Sequence, residues 1–223
     1  MPVVPDTLPF QEAVADYRFL LDRGYPVTAS LKLVGDRYRL DKPERMILFR
    51  GVLDSAASSQ NSKRLLQNLP EGADLSIDGY NILFTIINYL RGAPVFVSTD
   101  GFVRDAGGAH GRISDEAQFL ATISVITSTL AMLKPLHVEF FLDAPVSGSY
   151  RHAEQIRAAM QSAGFPSQVD VVKSADQWLI ASASSILATS DSAILARAGK
   201  PVFDLARHVL ESRYGAKLPV LSS

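Results

Sequence analysis

Two patterns of apolar positions divide the chain. From Phe10 to Arg23 the apolar residues recur every three or four positions, which predicts an amphipathic helix. Pro26 and Asp41 mark the starts of two further helices, the second of which runs to about Leu53. Beyond residue 73, short apolar runs alternate with helical patterns, which indicates βαβ units and a mostly parallel sheet covered on both faces.

The predicted fold class is therefore α/β, a Rossmann-like three-layer sandwich preceded by a small helical unit. Strands are predicted over 73–77, 94–98, 137–142, 169–172, 185–189 and 201–203, and helices over 82–90, 116–133, 150–163, 175–183 and 192–198. The small polar run at 55–62 and the Pro-Glu-Gly that follows it predict a connection. The expected organisation is a helical unit over 1–55, a linker over 56–72 and an α/β domain over 73–223.

Composition removes several classes of protein. The chain is 47% hydrophobic, which excludes a disordered chain, and it has no cysteine, which excludes a disulfide scaffold or a thiolate metal site. No secretory signal and no membrane-length apolar run stand out, so we expect a cytoplasmic protein without a membrane partner. The net charge of −1 gives no global attraction to nucleic acid.

Acidic residues gather where an α/β fold places its chemistry. The residues at or just after predicted strand ends are Asp78, Asp100, Asp143, Asp191 and Asp204, and Asp176 opens the helix after the fourth strand. A single such Asp is an ordinary helix cap, but ligands of open α/β sheets bind beyond the carboxyl ends of the strands. If these carboxylates converge, their repulsion calls for a cation, and a purely oxygen ligand set favours Mg²⁺ or Mn²⁺ over zinc.

Four short motifs resemble those of the PIN-like and NYN nucleases, in the same order along 73–205. They are Ile77-Asp-Gly-Tyr-Asn81, Phe141-Leu-Asp143, Ser174-Ala-Asp176 and Ala188-Thr-Ser-Asp-Ser192. The whole chain also resembles a prokaryotic family that joins a DUF434 module to a PIN-like DUF5616 module. The segments that carry this second resemblance are 16–25, 31–38, 100–105 and 142–148.

The resemblance implies a metal-dependent nuclease that hydrolyses phosphodiester bonds, and it favours RNA over DNA as the substrate. Asp78, Asp143 and Asp191 would ligate the metal, and Asp176 would be a fourth ligand or act through water. Asn81 would hold the Asp78 carboxylate or a metal-bound water, or would only complete the turn after the strand. Asp100 and Asp204 are supporting candidates.

Contacts to nucleic acid are expected from the Gly-rich segment 101–111 and from the turn before the helix at 150. The candidate residues are Arg104, His110, Arg112, Ser147 and Ser149. Arg151 and His152 could also contact the nucleic-acid backbone, but we expect them to be solvated surface residues. The turn at 146–149 is either a phosphate cradle or a plain serine cap with a flexible glycine. Trp178, the only tryptophan, is expected in the core, with base stacking as the alternative.

Other functions stay open at this stage. These nucleases usually bring a further carboxylate from a helix, and here only Asp115 and Glu116 occupy the corresponding region. This difference favours the alternative of a non-catalytic protein that binds nucleic acid or a partner on a degenerate PIN-like scaffold. A small-molecule phosphatase is a third possibility, although Asp78 does not begin an Asp-x-Asp motif, since Gly79 and Tyr80 follow it. The helical unit would read nucleic acid as a helix-turn-helix or mediate packing, including formation of a homodimer.

Overall fold

A computed structural model describes residues 4–107, 112–164 and 166–221 of the chain. They belong to two units, each assembled from separate stretches of sequence. The first unit takes 4–63, 88–107 and 217–221, and the second takes 64–87, 112–164 and 166–216. These divisions differ from the expected boundaries at 55 and 73.

The elements follow one another along the chain as α1 (Leu8–Asp22), α2 (Val27–Arg37), α3 (Lys42–Gly51), α4 (Ser55–Ser62), β1 (Leu65–Leu66), β2 (Asp74–Asp78), α5 (Gly79–Leu90), β3 (Val95–Val97), β4 (Val103–Asp105), α6 (Glu116–Leu133), β5 (His137–Asp143), α7 (Ser149–Ala163), β6 (Ser167–Val172), α8 (Ala175–Ala181), β7 (Ile186–Ala188), α9 (Ser192–Ala198), β8 (Val202–Phe203) and α10 (Leu205–Tyr214).

The first unit contains the predicted helices as α1, α2 and α3. Asp41 begins α3 with a capping box, because its side chain accepts a hydrogen bond of 2.8 Å from the N–H of Glu44 while the Glu44 carboxylate accepts one of 2.8 Å from the N–H of Asp41. Asp54 caps α4 with a single bond, accepting from the N–H of Ala57 at 2.8 Å. The first part of the predicted linker, up to residue 62, is therefore helical, whereas the part from 63 to 72 is not.

The core of the first unit draws on all three of its stretches. Phe10, Tyr17 and Leu48 are buried in it, together with Phe96 of β3 and Leu221 near the end of the chain. An added Cβ at Gly51 would lie 2.4 Å from Leu221 Cδ1 and 2.5 Å from Phe96 Cε2, so these side chains close directly over the glycine.

The second unit contains a six-stranded sheet in the order β1-β8-β7-β2-β5-β6, and every pairing in it is parallel. Ile77 in β2 lies beside Phe140 of β5 on one side and Ala188 of β7 on the other. Four of the five residues of β2 are buried, as expected for a strand with neighbours on both edges and helices on both faces. The predicted α/β fold class is confirmed.

The path of the chain reverses at β2. After β2 the strands run outward through β5 to β6, and the chain then returns to the other side of β2 and runs outward through β7 to β8. A reversal of this kind opens a crevice between the carboxyl ends of the strands on either side of it. The ends of β2, β5 and β7 therefore face one crevice.

The predicted strand at 94–98 does not join the parallel sheet. It is β3, which pairs antiparallel with β4 in the first unit. The sixth strand of the sheet is instead β1, only two residues long, beside β8. The sequence of a short apolar run such as 94–98 predicts a strand but does not determine which sheet contains it. A two-residue strand such as β1 is too short to show a periodic pattern.

The flanking helices form two groups, since α6 packs against α7 and α10 while α8 packs against α9. By length and composition α6 is apolar enough to cross a membrane. Seven of its residues, among them Phe119, Ile126 and Leu130, are buried within the fold. Core helices of α/β domains commonly have this composition.

Candidate functional site

The central strand β2 ends in Asp78, whose side chain is almost completely buried. Its Oδ2 accepts a hydrogen bond of 2.8 Å from Oγ1 of Thr189, the residue that follows β7. The backbone N–H of Asn81, in the first turn of α5, also bonds to this carboxylate. The carboxylate is thus fixed by elements on both sides of the chain reversal.

Asp143 and Asp191 end the segments beside β2. Asp143 is the last residue of β5, and its Oδ1 accepts a hydrogen bond of 2.8 Å from the N–H of Ala175, the first residue of α8. Asp191 caps α9, with its Oδ1 accepting from the N–H groups of Ala193 at 2.8 Å and Ile194 at 3.2 Å. Within the described chain, the second oxygen of each carboxylate accepts no hydrogen bond.

Electrostatic repulsion links these residues to a fourth acid in the first turn of α8. Burial raises the pKa of Asp176, and the charges of Asp191 and Asp143 raise it further. Burial raises the pKa of Asp78 to about 7, with the charges of the same two residues adding to the effect. We refer to Asp78, Asp143, Asp176 and Asp191 as the acid quartet.

The acid quartet is negatively charged without a cationic partner. None of its four members forms an ion pair with a lysine, arginine or histidine in the described parts of the chain. Arg197 on α9 lowers the pKa of Asp176 only as a weaker, opposing influence. In residues 4–107, 112–164 and 166–221, no three carboxylate or imidazole groups lie close enough to ligate one metal ion directly.

Asn81 joins α5 to the loop after β7. Its side-chain Oδ1 accepts hydrogen bonds from the N–H of Ser190 at 2.9 Å and from the Ser190 hydroxyl at 3.1 Å. Thr189 Oγ1 in turn accepts from the N–H of Asp191 at 3.1 Å. The amide of Asn81 therefore braces the loop that carries Thr189 and Asp191, while its backbone holds Asp78.

Asp100 and Arg104 lie in the first unit, outside the parallel sheet. They form a buried bidentate ion pair, with both guanidinium–carboxylate distances 2.8 Å. Asn61 donates a hydrogen bond of 2.9 Å to the same carboxylate. The prediction that Asp100 lies at the carboxyl edge of the parallel sheet is therefore wrong. The guanidinium of Arg104 is buried against Asp100 and is not available to a phosphate, contrary to its predicted role.

Asp204 lies at the end of β8, which β7 separates from β2. Its Oδ1 accepts a hydrogen bond of 2.9 Å from the N–H of Arg207 and caps α10. It lines a small cavity of about 100 Å³ together with Phe203, Arg207 and His208. Asp204 is therefore at the predicted edge of the sheet but two strands away from Asp78.

The turn before α7 contains the other predicted contact residues. Ser147 is exposed and its backbone pairs with that of Arg112, which is also exposed. Ser149, the first residue of α7, is buried and its hydroxyl donates to the carbonyl of Ala144 at 3.2 Å. His110 lies outside the described residues.

Asp115 caps α6 and Glu116 follows it, and both are exposed.

Sequence reasoning missed the role of Thr189 and the burial of His152. Thr189 was not singled out, although it precedes Asp191 in the fourth motif. His152 is only 2% exposed and bonds to Tyr80, whereas we expected a solvated side chain. Its spacing of four from Ile156 and eight from Met160, both buried, was the available signal.

Trp178 on α8 is 54% exposed, and the prediction that it lies in the core is wrong. Its ring lies against Phe141 of β5, with the ring centroids 5.9 Å apart and the planes inclined by 31°. Phe141 is paired with Asp78 in the register of the sheet. The exposed indole therefore lies beside the strand ends that carry the acids.

Comparison with known proteins identifies two matching family models. The one described as "Domain of unknown function (DUF5616)" matches residues 67–208. The one described as "Protein of unknown function (DUF434)" matches residues 9–64. The chain is also 29% identical over 206 residues to the uncharacterized protein MJ0935 of Methanocaldococcus jannaschii, an alignment that covers 90% of this chain and 96% of the relative. No solved structure matches the chain significantly.

Proposed function

From the premise that the chain belongs to the DUF5616 family, we propose that its second unit is a PIN-like, Mg²⁺- or Mn²⁺-dependent nuclease that hydrolyses phosphodiester bonds in RNA. The proposal rests on the acid quartet, three members of which follow the ends of β2, β5 and β7, while Asp176 lies in the first turn of α8. Its members come from four separate segments of the chain. Burial is the larger cause of the raised pKa of Asp78 and of Asp176, and the charges of Asp143 and Asp191 raise both further. A buried carboxylate beside other carboxylates is costly unless a cation neutralises the charge, which supports a metal site.

The chemistry of the donor groups fits a partly hydrated divalent cation. Asp143 and Asp191 each have one carboxylate oxygen free of protein hydrogen bonds in the described structure. Mg²⁺ keeps several of its waters and is commonly held by one or two carboxylates, so it does not need three directly ligating side chains. We assign Asp143 and Asp191 as direct ligands, with Asp78 and Asp176 acting directly or through water.

A bound divalent cation supplies an activated water and neutralises charge on the phosphoryl oxygens. The chain's own residues fix the geometry of the site. Thr189 holds one oxygen of Asp78, and Asn81 braces the loop of Thr189 and Asp191 through Ser190. The hydrogen bond from Ala175 orients Asp143. Preorganised carboxylates need no rearrangement when the substrate binds.

Trp178 provides a contact for single-stranded nucleic acid next to these acids. One face of its indole lies towards Phe141, and more than half of the side chain is exposed. A base can stack on an exposed indole whatever its identity, because every base has a π-face. This favours a flexible, unpaired RNA strand as the substrate.

The experiment compares Mn²⁺-dependent cleavage of labelled single-stranded RNA by the wild type, Asp78→Asn and Asp191→Asn. Each variant keeps the side-chain volume but removes a negative charge, so we expect cleavage to fall by at least about a hundredfold. Asp74→Asn is the matched control, since Asp74 begins the same strand at the opposite edge of the sheet. It should cleave like the wild type.

Equal cleavage by all four proteins would assign the activity to a contaminant and remove the proposal. Loss of cleavage in Asp74→Asn as well, with unchanged melting temperatures, would also count against a site at the carboxyl edge. The same assay with single-stranded DNA of matching sequence tests the preference for RNA.

A non-catalytic role is the second candidate. The observation that favours it is that no three acidic or histidine side chains of the described residues can ligate one ion directly. In that case the wild type would bind RNA without Mn²⁺ and would not cleave it. Isothermal titration with Mn²⁺ separates the two functions, because only the nuclease requires the ion to bind at the acid quartet.

A further inference from the structure

We propose that the first turn of α7 is a phosphate-binding subsite, in which the backbone N–H groups of Tyr150 and Arg151 and the Nε2–H of His152 bind phosphate oxygens. The inference rests on the proposed function in one respect, since we take the phosphate to be part of the nucleic acid held at the acid quartet. The subsite itself is argued from three independent features of α7.

The first feature is the uncapped start of the helix. α7 has 15 residues and begins after Gly148, which has a left-handed φ of 84° and offers no side-chain cap. The N–H of Ser149 donates to the carbonyl of Val146 at 3.1 Å. The N–H groups of Tyr150 and Arg151 have no acceptor in the described structure. Such groups, together with the positive end of the helix dipole, favour an anion.

The second feature is a buried imidazole with one nitrogen to spare. His152 is 2% exposed, and its Nδ1 lies 2.9 Å from the hydroxyl of Tyr80. The Tyr80 hydroxyl makes no other hydrogen bond within the described chain. If it only accepted from the imidazole, its own proton would be buried without an acceptor. The phenol is therefore assigned as the donor to Nδ1, and the ring proton is assigned to Nε2. Phe119, with its ring centroid 4.4 Å away, fixes the orientation of the imidazole.

Nε2 has no protein partner among the described residues, yet it is not one of the fully buried unpaired polar atoms. It therefore reaches the surface. Burial lowers the pKa of His152, and the charge of Arg151 lowers it further. The ring is then neutral at pH 7 and offers Nε2–H as a fixed donor.

The third feature is the opening left by Gly148. A Cβ built on this residue would lie 3.4 Å from Cε1 and 3.5 Å from Nε2 of His152, and 3.9 Å from a terminal nitrogen of Arg151. Only glycine leaves this edge of the imidazole uncovered. The opening is therefore bordered by the His152 ring, the guanidinium of Arg151 and the first N–H groups of the helix.

The surrounding charge separates this subsite from the acid quartet. Arg112 pairs with Ser147 at the rim, and Arg151 forms an exposed ion pair of 3.6 Å with Glu116 that a phosphate can replace at little cost. The turn starts at Asp143, whose carbonyl accepts from the N–H of Val146 at 3.2 Å. A nucleic acid would thus place one phosphate at α7 and a neighbouring one at the acids.

The test titrates inorganic phosphate into ¹⁵N-labelled protein and follows the amide signals of Tyr150 and Arg151 and the ring signals of His152. Gly148→Ala places a methyl group over Nε2, and we expect it to weaken phosphate binding by about tenfold or more. Gly164→Ala is the matched control. Gly164 ends the same helix with a similar φ of 79°, and nothing lies within 4 Å of its added Cβ.

Retained binding in Gly164→Ala with loss in Gly148→Ala supports the subsite. Equal affinity of both variants, or no phosphate-dependent shift at α7 in the wild type, overturns it. A second arm compares RNA oligonucleotides with and without a 5′-phosphate: a preference for the 5′-phosphate identifies a terminal phosphate as the ligand, and equal binding identifies a backbone phosphate. Asp191→Asn should bind phosphate normally, so a failed nuclease and a failed subsite are distinguishable.

Discussion

Thr189 and Asp78 lie 111 residues apart in sequence and are joined by a hydrogen bond of 2.8 Å from Oγ1 to Oδ2. The same Oγ1 accepts from the N–H of Asp191 at 3.1 Å. One hydroxyl therefore sets the position of two acids, Asp78 at the end of β2 and Asp191 at the start of α9. It also lowers the pKa of Asp78 against the larger effect of burial.

Thr189→Val removes this hydroxyl and keeps the shape of the side chain. We expect cleavage to fall by on the order of tenfold to a hundredfold, because residues that orient metal ligands have effects of this size. The pH at which activity reaches half its maximum should rise, since Asp78 loses a bond that favours its ionised form. Thr129→Val is the control: Thr129 is equally buried but bonds only within α6. An unchanged pH profile in Thr189→Val would contradict a positioning role.

The protein should become less stable as the pH rises, because of Asp78. Its pKa is about 7 in the folded protein and 3.8 when unperturbed. Below the lower value both states hold the proton and there is no cost. Between the two values the unfolded state releases a proton that the folded state keeps, so unfolding becomes progressively easier, and above about pH 7 the cost is complete. Its size is on the order of 1.4 kcal/mol per pKa unit.

Urea denaturation of the metal-free protein between pH 4 and 8 measures this effect. Asp78→Asn should flatten the dependence and be more stable than the wild type at pH 8, whereas Asp74→Asn should follow the wild type. Mn²⁺ should stabilise the wild type at pH 8 more than it stabilises Asp78→Asn, which keeps Asp143 and Asp191 but lacks one carboxylate of the site. A wild type whose stability rises steadily over this range would contradict the assigned environment of Asp78.

The buried ion pair of the first unit should matter for stability rather than activity. Arg104→Ala leaves the Asp100 carboxylate buried without its partner, which costs about 3–5 kcal/mol in comparable sites. Burial raises the pKa of Asp100, but the bonds and charge of Arg104, with Ser98 and Asn61, outweigh it and hold the pKa below its usual value. The pair's contribution is therefore lost as the pH falls into the acid range. Urea denaturation measures both effects.

Arg37→Ala is the comparison for this prediction. Arg37 faces Asp16 at 3.6 Å, but both side chains are largely exposed, so little change in stability is expected. If both arginine variants unfold at the same urea concentration, the buried pair does not stabilise the first unit.

Trp178 makes RNA binding directly observable, because it is the only tryptophan. Stacking of a base on the exposed indole should quench its fluorescence. Trp178→Ala should weaken RNA binding by between about fivefold and a hundredfold and raise KM more than it lowers kcat. Leu136→Ala, at an equally exposed position before β5, should do neither. Tight RNA binding without any change in fluorescence would exclude the indole as a contact.

Periodicity and strand ends were enough to predict most of the α/β unit. The apolar runs that became β2, β5, β6, β7 and β8 are short and flanked by turn residues, so their type and order could be read directly. The same reasoning grouped six acids at one edge, because the carboxyl ends of parallel strands lie together. Asp78, Asp143, Asp176 and Asp191 interact electrostatically, whereas Asp100 belongs to the first unit and Asp204 lies two strands away.

The features that could not be predicted depend on partners distant in sequence. Val95–Val97 has the composition of any buried strand, and only its pairing with β4 places it in the first unit. The role of Arg104 depended on a buried Asp100, which no local pattern signals. The exposure of Trp178 depends on how α8 packs on the sheet, and aromatic content alone favoured the core.

The core of the first unit crosses the boundary between the two family matches. The DUF434 match ends at residue 64, yet Phe96 and Leu221 belong to the same buried cluster as Phe10 and Leu48. A fragment that ends at residue 64 would lack both side chains and would expose the apolar surface that they cover. During synthesis, the first hundred residues include Phe96 but not Leu221, so the core of the first unit cannot be completed until the end of the chain is made. An exchange of modules at residue 64 would therefore separate the first unit's helices from two of the side chains that complete their core.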